Sequence, residues 1–323
     1  MTAIIETRGL IKRYGRLTAV EELDLVVKSG AVFGFVGPNG AGKTTTMRIL
    51  ATLLRPTAGE AWVAGHSVLK ERRDVRRAIG YMPDFFGVYG DMKVWEYLDF
   101  FAACYEIPPA TRRRLVDDLL ELVDLAHRRE DYVDALSRGM KQRLCLGRAL
   151  AHDPQVLILD EPASGLDPRA RIEIRELLRE LQAMGKTIFV SSHILSEIEE
   201  VCTHIGIIEA GRLVATGTLE EMRQRIQAQR VVRVGLTGRD LGELSRAVEE
   251  AQAWLTRRPE VVCVEPVTGN GEGDLQVTFA GDDEALARLL SELVGAGFSV
   301  TMFREESSDL EDVFMLLTKG IVS

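Results

Sequence analysis

One glycine-rich stretch constrains this chain more than any other part of its sequence. Residues 37–44 read GPNGAGKT and match the pattern G-x-x-x-x-G-K-[S/T]. The apolar run 31–36 (AVFGFV) precedes the stretch as a predicted strand, and a helical pattern follows over 44–54. Glycines let successive backbone N–H groups point at one phosphate, and a helix N-terminus favours negative charge. We predict a phosphate-binding loop, with Lys43 on the β- and γ-phosphates and Thr44 as a Mg²⁺ ligand.

Two adjacent carboxylates follow a second apolar run. The sequence VLILDE at 156–161 predicts a strand buried on both faces that ends at Asp160 and Glu161. Alternate side chains of a strand point to opposite faces, so adjacent acids need not share a role. We predict that Asp160 holds Mg²⁺ and that Glu161 polarises an attacking water. Taken alone, Asp-Glu-Pro could simply end a strand; the phosphate loop favours the functional interpretation.

A third candidate lies between these two, at LSRGM (136–140), followed by the helical run KQRLCLGRALA. Ser137 is a favoured N-cap residue, so a helix is predicted to begin just after it. A capped helix start with a glycine nearby can bind an anion. Standing alone, the segment would more simply be a capped helix.

The order of the predicted elements indicates two domains. Strand-like runs alternate with helices to about residue 220, which is typical of a largely parallel sheet with helices on both faces. A helix-rich stretch, 92–125, broken at Pro108–Pro109, predicts an inserted helical subdomain within about 85–150. The first domain is predicted at 1–220, with a hairpin at 205–217 near its end, and a polar helix at 219–230 leads out of it. The remainder, 221–323, predicts a small α+β domain of ferredoxin-like order, with a glycine-rich turn at 268–274.

Charge and composition argue against several classes of function. The net charge is −9, whereas nucleic acids are held by clustered Lys and Arg, so we expect no nucleic-acid partner. The four cysteines lie far apart, which disfavours zinc and disulfide frameworks and favours a cytosolic setting. We expect no signal peptide, and no window approaches the ~20 apolar residues that cross a bilayer. Any membrane role is therefore expected to depend on a partner.

Together these motifs resemble the ATP-binding cassette (ABC) family over residues 1 to about 217. The phosphate loop matches the family's Walker A motif, the strand with two acids its Walker B motif, and LSRGM its signature. Ser164–Asp167 (SGLD) is similar to the D-loop. The matching segments are GPNGAGKTT at 37–45, VLILDEP at 156–162 and LSRGM at 136–140.

The resemblance implies an α/β P-loop NTPase cassette that binds ATP and Mg²⁺. It implies a head-to-tail dimer in which each ATP lies between one copy's Walker A motif and the other's signature, and each motif occurs once in this chain. His193 would contact the γ-phosphate and Tyr14 would stack on adenine. The implied ATP-binding residues are Tyr14, Gly37, Pro38, Asn39, Gly40, Ala41, Gly42, Lys43, Thr44, Thr45, Ser137, Gly139, Met140 and Asp167, and the catalytic ones are Glu161, His193 and Lys43.

Two departures from the family pattern bear on function. The usual signature is LSGGQ, and here Arg138 replaces a glycine and Met140 the glutamine. Asp84 stands where the family carries a glutamine that touches Mg²⁺ or water; it keeps an oxygen ligand but adds a charge. We expect Asp84 to line the metal site.

The aromatic loop after Asp84 resembles the part of the family that faces a membrane permease. We therefore expect Phe85, Phe86 and Tyr89 to help hold that partner, since aromatic residues are favoured in interface cores.

The region from about residue 225, including the tail DLEDVF at 309–314, resembles the accessory domain of ABC-2-type exporter ATPases. The expected function is therefore ATP hydrolysis that powers a separately encoded permease at the inner face of the cell membrane. Two alternatives stay open: a non-transport cassette ATPase acting on DNA or ribosomes, and a nucleotide-dependent regulatory module with little turnover.

Overall fold

Two compact units make up the chain, one up to Leu219 and a second from Glu220. The computed structural model describes residues 2–85, 87–197, 199–222, 230–238, 240–267 and 273–306. None of the helices within these ranges is long and apolar enough to cross a membrane.

A six-stranded sheet, in the order β10-β9-β3-β8-β7-β6, forms the centre of the first unit. The five strands from β9 to β6 are parallel to one another, and β10 is an antiparallel edge strand that forms the predicted hairpin with β9. Every residue of β3, β7 and β8 is buried, which confirms the prediction from their unbroken apolar runs. The strands are β3 Val32–Val36, β6 Ile79–Met82, β7 Val156–Leu159, β8 Thr187–Ser192, β9 His204–Glu209 and β10 Arg212–Thr218.

Strand register brings the phosphate loop, His193 and Asp160 to one edge of this sheet. Val36, just before the phosphate loop, pairs with Ser192, just before His193. Met82 pairs with Leu159, just before Asp160. Because these strands are parallel, the loops at their carboxyl ends share one edge.

A four-stranded antiparallel sheet, in the order β2-β1-β4-β5, was not predicted. The expectation of one largely parallel sheet to residue 220 is wrong for these segments. Register shifts interrupt the β1–β2 pairing at several points, and Gly9 has a φ of 52° there, so the period-2 pattern is broken. The strands are β1 Ala3–Tyr14, β2 Leu17–Lys28, β4 Ala58–Val63 and β5 His66–Ser67.

The helices of the first unit include the predicted helical insertion between β6 and β7. α3 and α4 are separated at Pro108, and Pro109 occupies the first turn of α4, where proline is tolerated. α1 ends at Leu50, earlier than the predicted 54, and Thr52 has a φ of 63°. The helices are α1 Lys43–Leu50, α2 Arg72–Ala78, α3 Val94–Cys104, α4 Pro109–Leu122, α5 Arg138–Leu150 and α6 Pro168–Ala183, with a 3₁₀ helix at Leu195–Glu197.

The second unit has the element order β-α-β-β-α-β and the sheet order β12-β13-β11-β14. All three strand pairs are antiparallel. This is the predicted ferredoxin-like arrangement. Its elements are β11 Arg230–Leu236, α7 Leu241–Leu255, β12 Val261–Pro266, β13 Asp274–Phe279, α8 Asp283–Gly295 and β14 Val300–Glu306.

Some predictions fall outside the described residues. Residues 219–222 are helical, and the rest of the predicted helix, 223–229, lies outside. The same holds for residues 268–272 of the glycine-rich turn, for Phe86 and for the tail 309–314.

Candidate active site

The loop between β3 and α1 passes so close to neighbouring backbone that it requires glycine. A Cβ on Gly37 would stand 2.2 Å from the Ile208 carbonyl oxygen, and one on Gly42 2.4 Å from the Ala19 carbonyl oxygen. Gly42 also has a φ of 104° and Gly40 a φ of 84°, both in the region that favours glycine. The loop therefore keeps its shape only with the glycines that the motif specifies.

Lys43, the first residue of α1, is a buried cation inside this loop. Its side chain is 6% exposed, and Nζ donates to the carbonyl oxygens of Gly37 at 2.6 Å and Pro38 at 3.2 Å. Nζ also lies 3.4 Å from Glu161 Oε1. Burial lowers the pKa of Lys43, while the nearby Glu161 carboxylate acts in the opposite direction. This ammonium group is almost completely shielded from water, so it is well placed to bind an anion.

Asp160 is a fully buried carboxylate beside Thr44. Its Oδ1 accepts hydrogen bonds from Ser191 Oγ at 2.8 Å and Thr44 Oγ1 at 3.1 Å. Its Oδ2 is buried and has no hydrogen-bond partner among the described residues. Burial raises the pKa of Asp160, and the two hydroxyl donors oppose that shift. A buried carboxylate oxygen without a donor fits a cation ligand.

Glu161 adopts a backbone conformation that is unusual for its residue type. Its φ is 51°, in the left-handed region, immediately after β7. Its N–H donates to Ser191 Oγ at 3.0 Å, and its Oε2 lies 2.7 Å from His193 Nδ1. The backbone turn therefore directs Glu161 toward Lys43 and His193, while Asp160 faces Thr44. The two adjacent acids therefore face different partners.

A cavity of about 580 Å³ brings most of the predicted site residues together. Tyr14 lines the cavity and is about half exposed. The Nζ of Lys12 lies 5.0 Å from the centroid of the Tyr14 ring. Asp84 also lines the cavity. The lining residues are Tyr14, Leu17, Ala19, Asn39, Gly40, Ala41, Gly42, Lys43, Thr44, Thr45, Asp84, Glu161, Ser164 and His193.

The signature residues do not line this cavity in the single chain. Ser137 caps α5, and its Oγ accepts from the Met140 N–H at 3.3 Å, which confirms the predicted helix start. Gly139 lies against α6, because a Cβ there would stand 3.1 Å from Ala170 Cβ. Asp167 caps α6 and accepts from the Ala170 N–H at 2.9 Å.

Arg138, the residue that departs from the signature pattern, packs over the 164–167 loop. A Cβ on Gly165 would stand 2.7 Å from the Arg138 guanidinium carbon, so a larger residue there would displace the Arg138 side chain. Gly165 also has a φ of 67°. Nothing in the sequence indicates that these two distant motifs touch within one chain.

Ser191 is a functional residue that the sequence analysis missed. It is fully buried in β8, and its hydroxyl joins Asp160 Oδ1 to the Glu161 N–H. The one available signal was a pair of serines, Ser191 and Ser192, ending an otherwise apolar strand just before His193. Ser164, which lines the cavity, was noted only as part of a motif.

The aromatic loop after Asp84 is exposed in part. Phe85 is 88% exposed. The Tyr89 ring contacts three aromatic rings of α3, with centroid distances of 5.8 Å to Phe100, 6.4 Å to Phe101 and 6.5 Å to Tyr97. Tyr89 therefore packs on the helical insertion while keeping more than half of its own surface exposed.

Comparison with known proteins decides the family. The sequence model described as "ABC transporter" matches residues 20–164. The Nod factor export ATP-binding protein I of Ralstonia nicotianae is 36% identical over 318 residues, covering 98% of this chain and 94% of that protein. The chain belongs to the ABC transporter family. The family prediction made from the motifs is thus confirmed.

Other ABC proteins agree with this assignment. The bacitracin transport ATP-binding protein BcrA of Bacillus licheniformis is 41% identical over 229 residues, covering 70% of this chain and 73% of that protein. A solved structure of an ATP-binding subunit of an ABC transporter superposes with a TM-score of 0.63 at 31% identity, covering 69% of this chain and 93% of that one. The predicted cassette fold and the predicted ATPase activity of an ABC ATP-binding subunit are confirmed.

Proposed function

We propose that this ABC ATPase powers an exporter by closing as a dimer on ATP. The observation that carries the proposal is the convergence of Lys43, Glu161 and His193 on one 580 Å³ cavity beside the glycine loop. Asp160 is buried directly behind Thr44, which lines the same cavity. A buried cation and an acid paired with an imidazole are what phosphoryl transfer to water requires: charge stabilisation and an oriented nucleophile.

ATP would lie along the cavity, with adenine against Tyr14 and the phosphates in the loop. The backbone N–H groups of residues 37–45 and the N-terminus of α1 favour the phosphate charge. Lys43 would exchange its carbonyl contacts at Gly37 and Pro38 for the β- and γ-phosphate oxygens. That exchange is favourable because an anion satisfies a buried ammonium better than neutral carbonyl groups do.

Mg²⁺ would be held by Thr44 and Asp160, with Asp84 at the edge of the same site. The unpartnered Asp160 Oδ2 and the Thr44 hydroxyl beside Oδ1 fit such a cation. When bound, the ion would neutralise charge on the phosphate oxygens. Ser191 would keep Asp160 oriented by donating to Oδ1.

Glu161 would polarise the attacking water, and His193 would orient Glu161. Their 2.7 Å contact joins Oε2 to the imidazole Nδ1, which leaves Oε1 to face the cavity near Lys43. A proton leaving the water can be accepted at a Glu161 carboxylate oxygen. His193 would also contact the γ-phosphate through the rest of its ring.

A second copy would complete the site. Ser137, Gly139, Met140 and Asp167 lie outside the cavity of their own chain, although the family resemblance assigns them to ATP. A head-to-tail dimer supplies them from the partner, because the N-terminus of α5 can face the other copy's γ-phosphate.

The coupled partner would be a separately encoded permease at the inner face of the cell membrane. The relatives named for Nod factor export and bacitracin transport support an export role. The exposed Phe85 and Tyr89, with Phe86 between them, would help hold this permease. In this proposal residues 1–220 form the motor, and residues 221–323 form an accessory domain.

Gel filtration of Glu161→Gln with and without ATP and Mg²⁺ tests the proposal. We expect an ATP-dependent shift from monomer to dimer, because the amide keeps the shape of the side chain but does not accept the proton. Wild-type turnover should exceed that of the variant by about 100-fold or more, the scale of losing a general base. Glu121→Gln, an exposed change on α4, is the control and should match the wild type. If Glu161→Gln hydrolyses ATP as fast as the wild type, Glu161 is not the base.

A further inference from the structure

A buried carboxylate just beyond His193 has no role in the site described above. Glu197 ends the 3₁₀ helix Leu195–Glu197, and its side chain is 5% exposed. Its Oε1 lies 3.3 Å from Arg171 Nη1, and its Oε2 accepts from Ser192 Oγ at 3.1 Å. A carboxylate is costly to bury, so both of its partners must be held in place.

Arg171, on α6, joins this carboxylate to the 164–167 loop. Its Nε donates to the Leu166 carbonyl oxygen at 3.0 Å while Nη1 faces Glu197. The guanidinium is planar and its donors have fixed directions. A movement of the Leu166 backbone therefore shifts the donor that Glu197 faces.

Ser192 carries the connection to the catalytic histidine. Its Oγ accepts from the Ile194 N–H at 3.0 Å and lies 2.8 Å from the Ile194 carbonyl oxygen. Ser192 and Ile194 flank His193 on both sides, so their contact sets the backbone turn that carries the imidazole. The imidazole in turn contacts Glu161.

The other end of this chain of contacts lies beside the signature. Arg138 packs over Gly165, and Gly139 packs against Ala170 of α6. A molecule that docks on the start of α5 must also meet the 164–167 loop. The contacts thus run from the signature through Leu166, Arg171, Glu197 and Ser192 to His193.

We propose that Arg171 and Glu197 are positioning residues that couple the 164–167 loop to the His193–Glu161 contact within one chain. Docking of a partner on the signature then adjusts the hydrolytic residues of the same chain. This coupling rests on the proposed function in one respect, that a second copy docks on the signature.

Three variants of the full chain test the coupling. Arg171→Met removes the connection, and Arg171→Lys keeps the charge but loses the planar pair of donors. Arg175→Met is the matched control, because Arg175 lies one turn further along α6 and pairs with Glu200 at 2.6 Å instead of Glu197. The measurements are kcat and KM for ATP, the melting temperature, and the ¹⁵N chemical shifts of the His193 imidazole.

We expect Arg171→Met to lower kcat about tenfold with KM within about twofold, and to move the His193 shifts. Arg171→Lys should have the melting temperature of the wild type but the lowered kcat of Arg171→Met. Arg175→Met should leave kcat and the His193 shifts unchanged. Equal losses of kcat in Arg171→Met and Arg175→Met, or full rescue by lysine, would show that the ion pair is only structural.

The test separates this inference from the proposed function. The His193 shifts are read on the single chain without nucleotide, so they report the coupling even if no dimer forms. If Arg171→Met does not fold, Arg171→Lys carries the test, and unchanged His193 shifts in that variant would overturn the inference. Failure of Glu161→Gln to dimerise on ATP would count against the proposed function alone.

Discussion

The two compact units differ in whether polar and charged side chains are buried in them. Among the described residues, the buried polar and charged side chains all lie before residue 210, and they include Lys43, Asp160 and Glu161. The core of the second unit is built from apolar side chains around Phe279, and the ion pair of Arg230 with Asp283 has an exposed carboxylate. Burying a charge costs stability, so buried charges are kept where the chemistry of a site requires them. The comparison places the buried charges, and with them the candidate active site, in the first unit.

A large buried ring in each unit gives the sharpest test of this difference. Phe279→Ala should destabilise the second unit by about 3–5 kcal/mol while ATP turnover stays within about twofold. Phe189→Ala, which removes the ring packed on Phe33 and Phe35 in the central sheet, should lower both stability and turnover, because β8 leads to His193. Denaturant titration and an ATPase assay measure the two effects.

An effect of Phe279→Ala on catalysis would contradict this difference between the two units. If Phe279→Ala abolished turnover in protein whose first unit stayed folded, the second unit would have a part in catalysis. Two separate unfolding transitions in the titration would show which unit had been weakened.

Removal of one buried hydroxyl from the first unit should have a smaller effect than removal of a buried ring. Ser191→Ala should lower kcat about tenfold, since Asp160 Oδ1 and the Glu161 N–H each lose a hydrogen bond. The melting temperature of Ser191→Ala should change little, so unfolding would not account for the loss of kcat. Thr187→Ala, at the other end of β8, is the control, and it should leave kcat unchanged. Equal kcat values for Ser191→Ala and the wild type would remove Ser191 from the site.

The smallest effect is expected at the surface of the second unit. The hydrogen bond from Arg230 lowers the pKa of Glu305. A carboxyl with a lowered folded-state pKa stabilises above its unfolded pKa, and that contribution is lost as pH falls through the folded value. Arg230→Met should therefore cost less than about 1 kcal/mol at neutral pH, because Glu305 and Asp283 are well exposed.

Unfolding titrations over a range of pH check this sign. The difference between Arg230→Met and the wild type should shrink as the pH is lowered through the acidic range. A difference that grew on acidification would show that another group controls the effect.

The sequence could predict elements whose pattern is local. The phosphate loop, the buried strand before Asp160 and the capped start of α5 each depend on residues adjacent in the chain, and all three appear where they were expected. The antiparallel sheet of β1 and β2 could not be predicted, because bulges break the alternation of its side chains. A regular period is what makes a strand recognisable in a sequence.

Contacts between distant residues were beyond the reach of sequence reasoning. Ser191 looks like any small residue in an apolar strand, and Glu197 lies in an acid-rich segment (SEIEE) that resembles a solvated surface. Their roles depend on Asp160 and Arg171, which other elements bring close. Such pairings become visible only when strand register and helix packing are fixed.

The left-handed backbone at Glu161 has a consequence for any attempt to stabilise this protein. A non-glycine residue held at a φ of 51° stores about 1–3 kcal/mol of strain. Glycine at this position would release the strain and also discard the carboxylate. A library screened for heat resistance alone would therefore enrich inactive sequences at position 161, so directed evolution of this motor has to select for turnover as well.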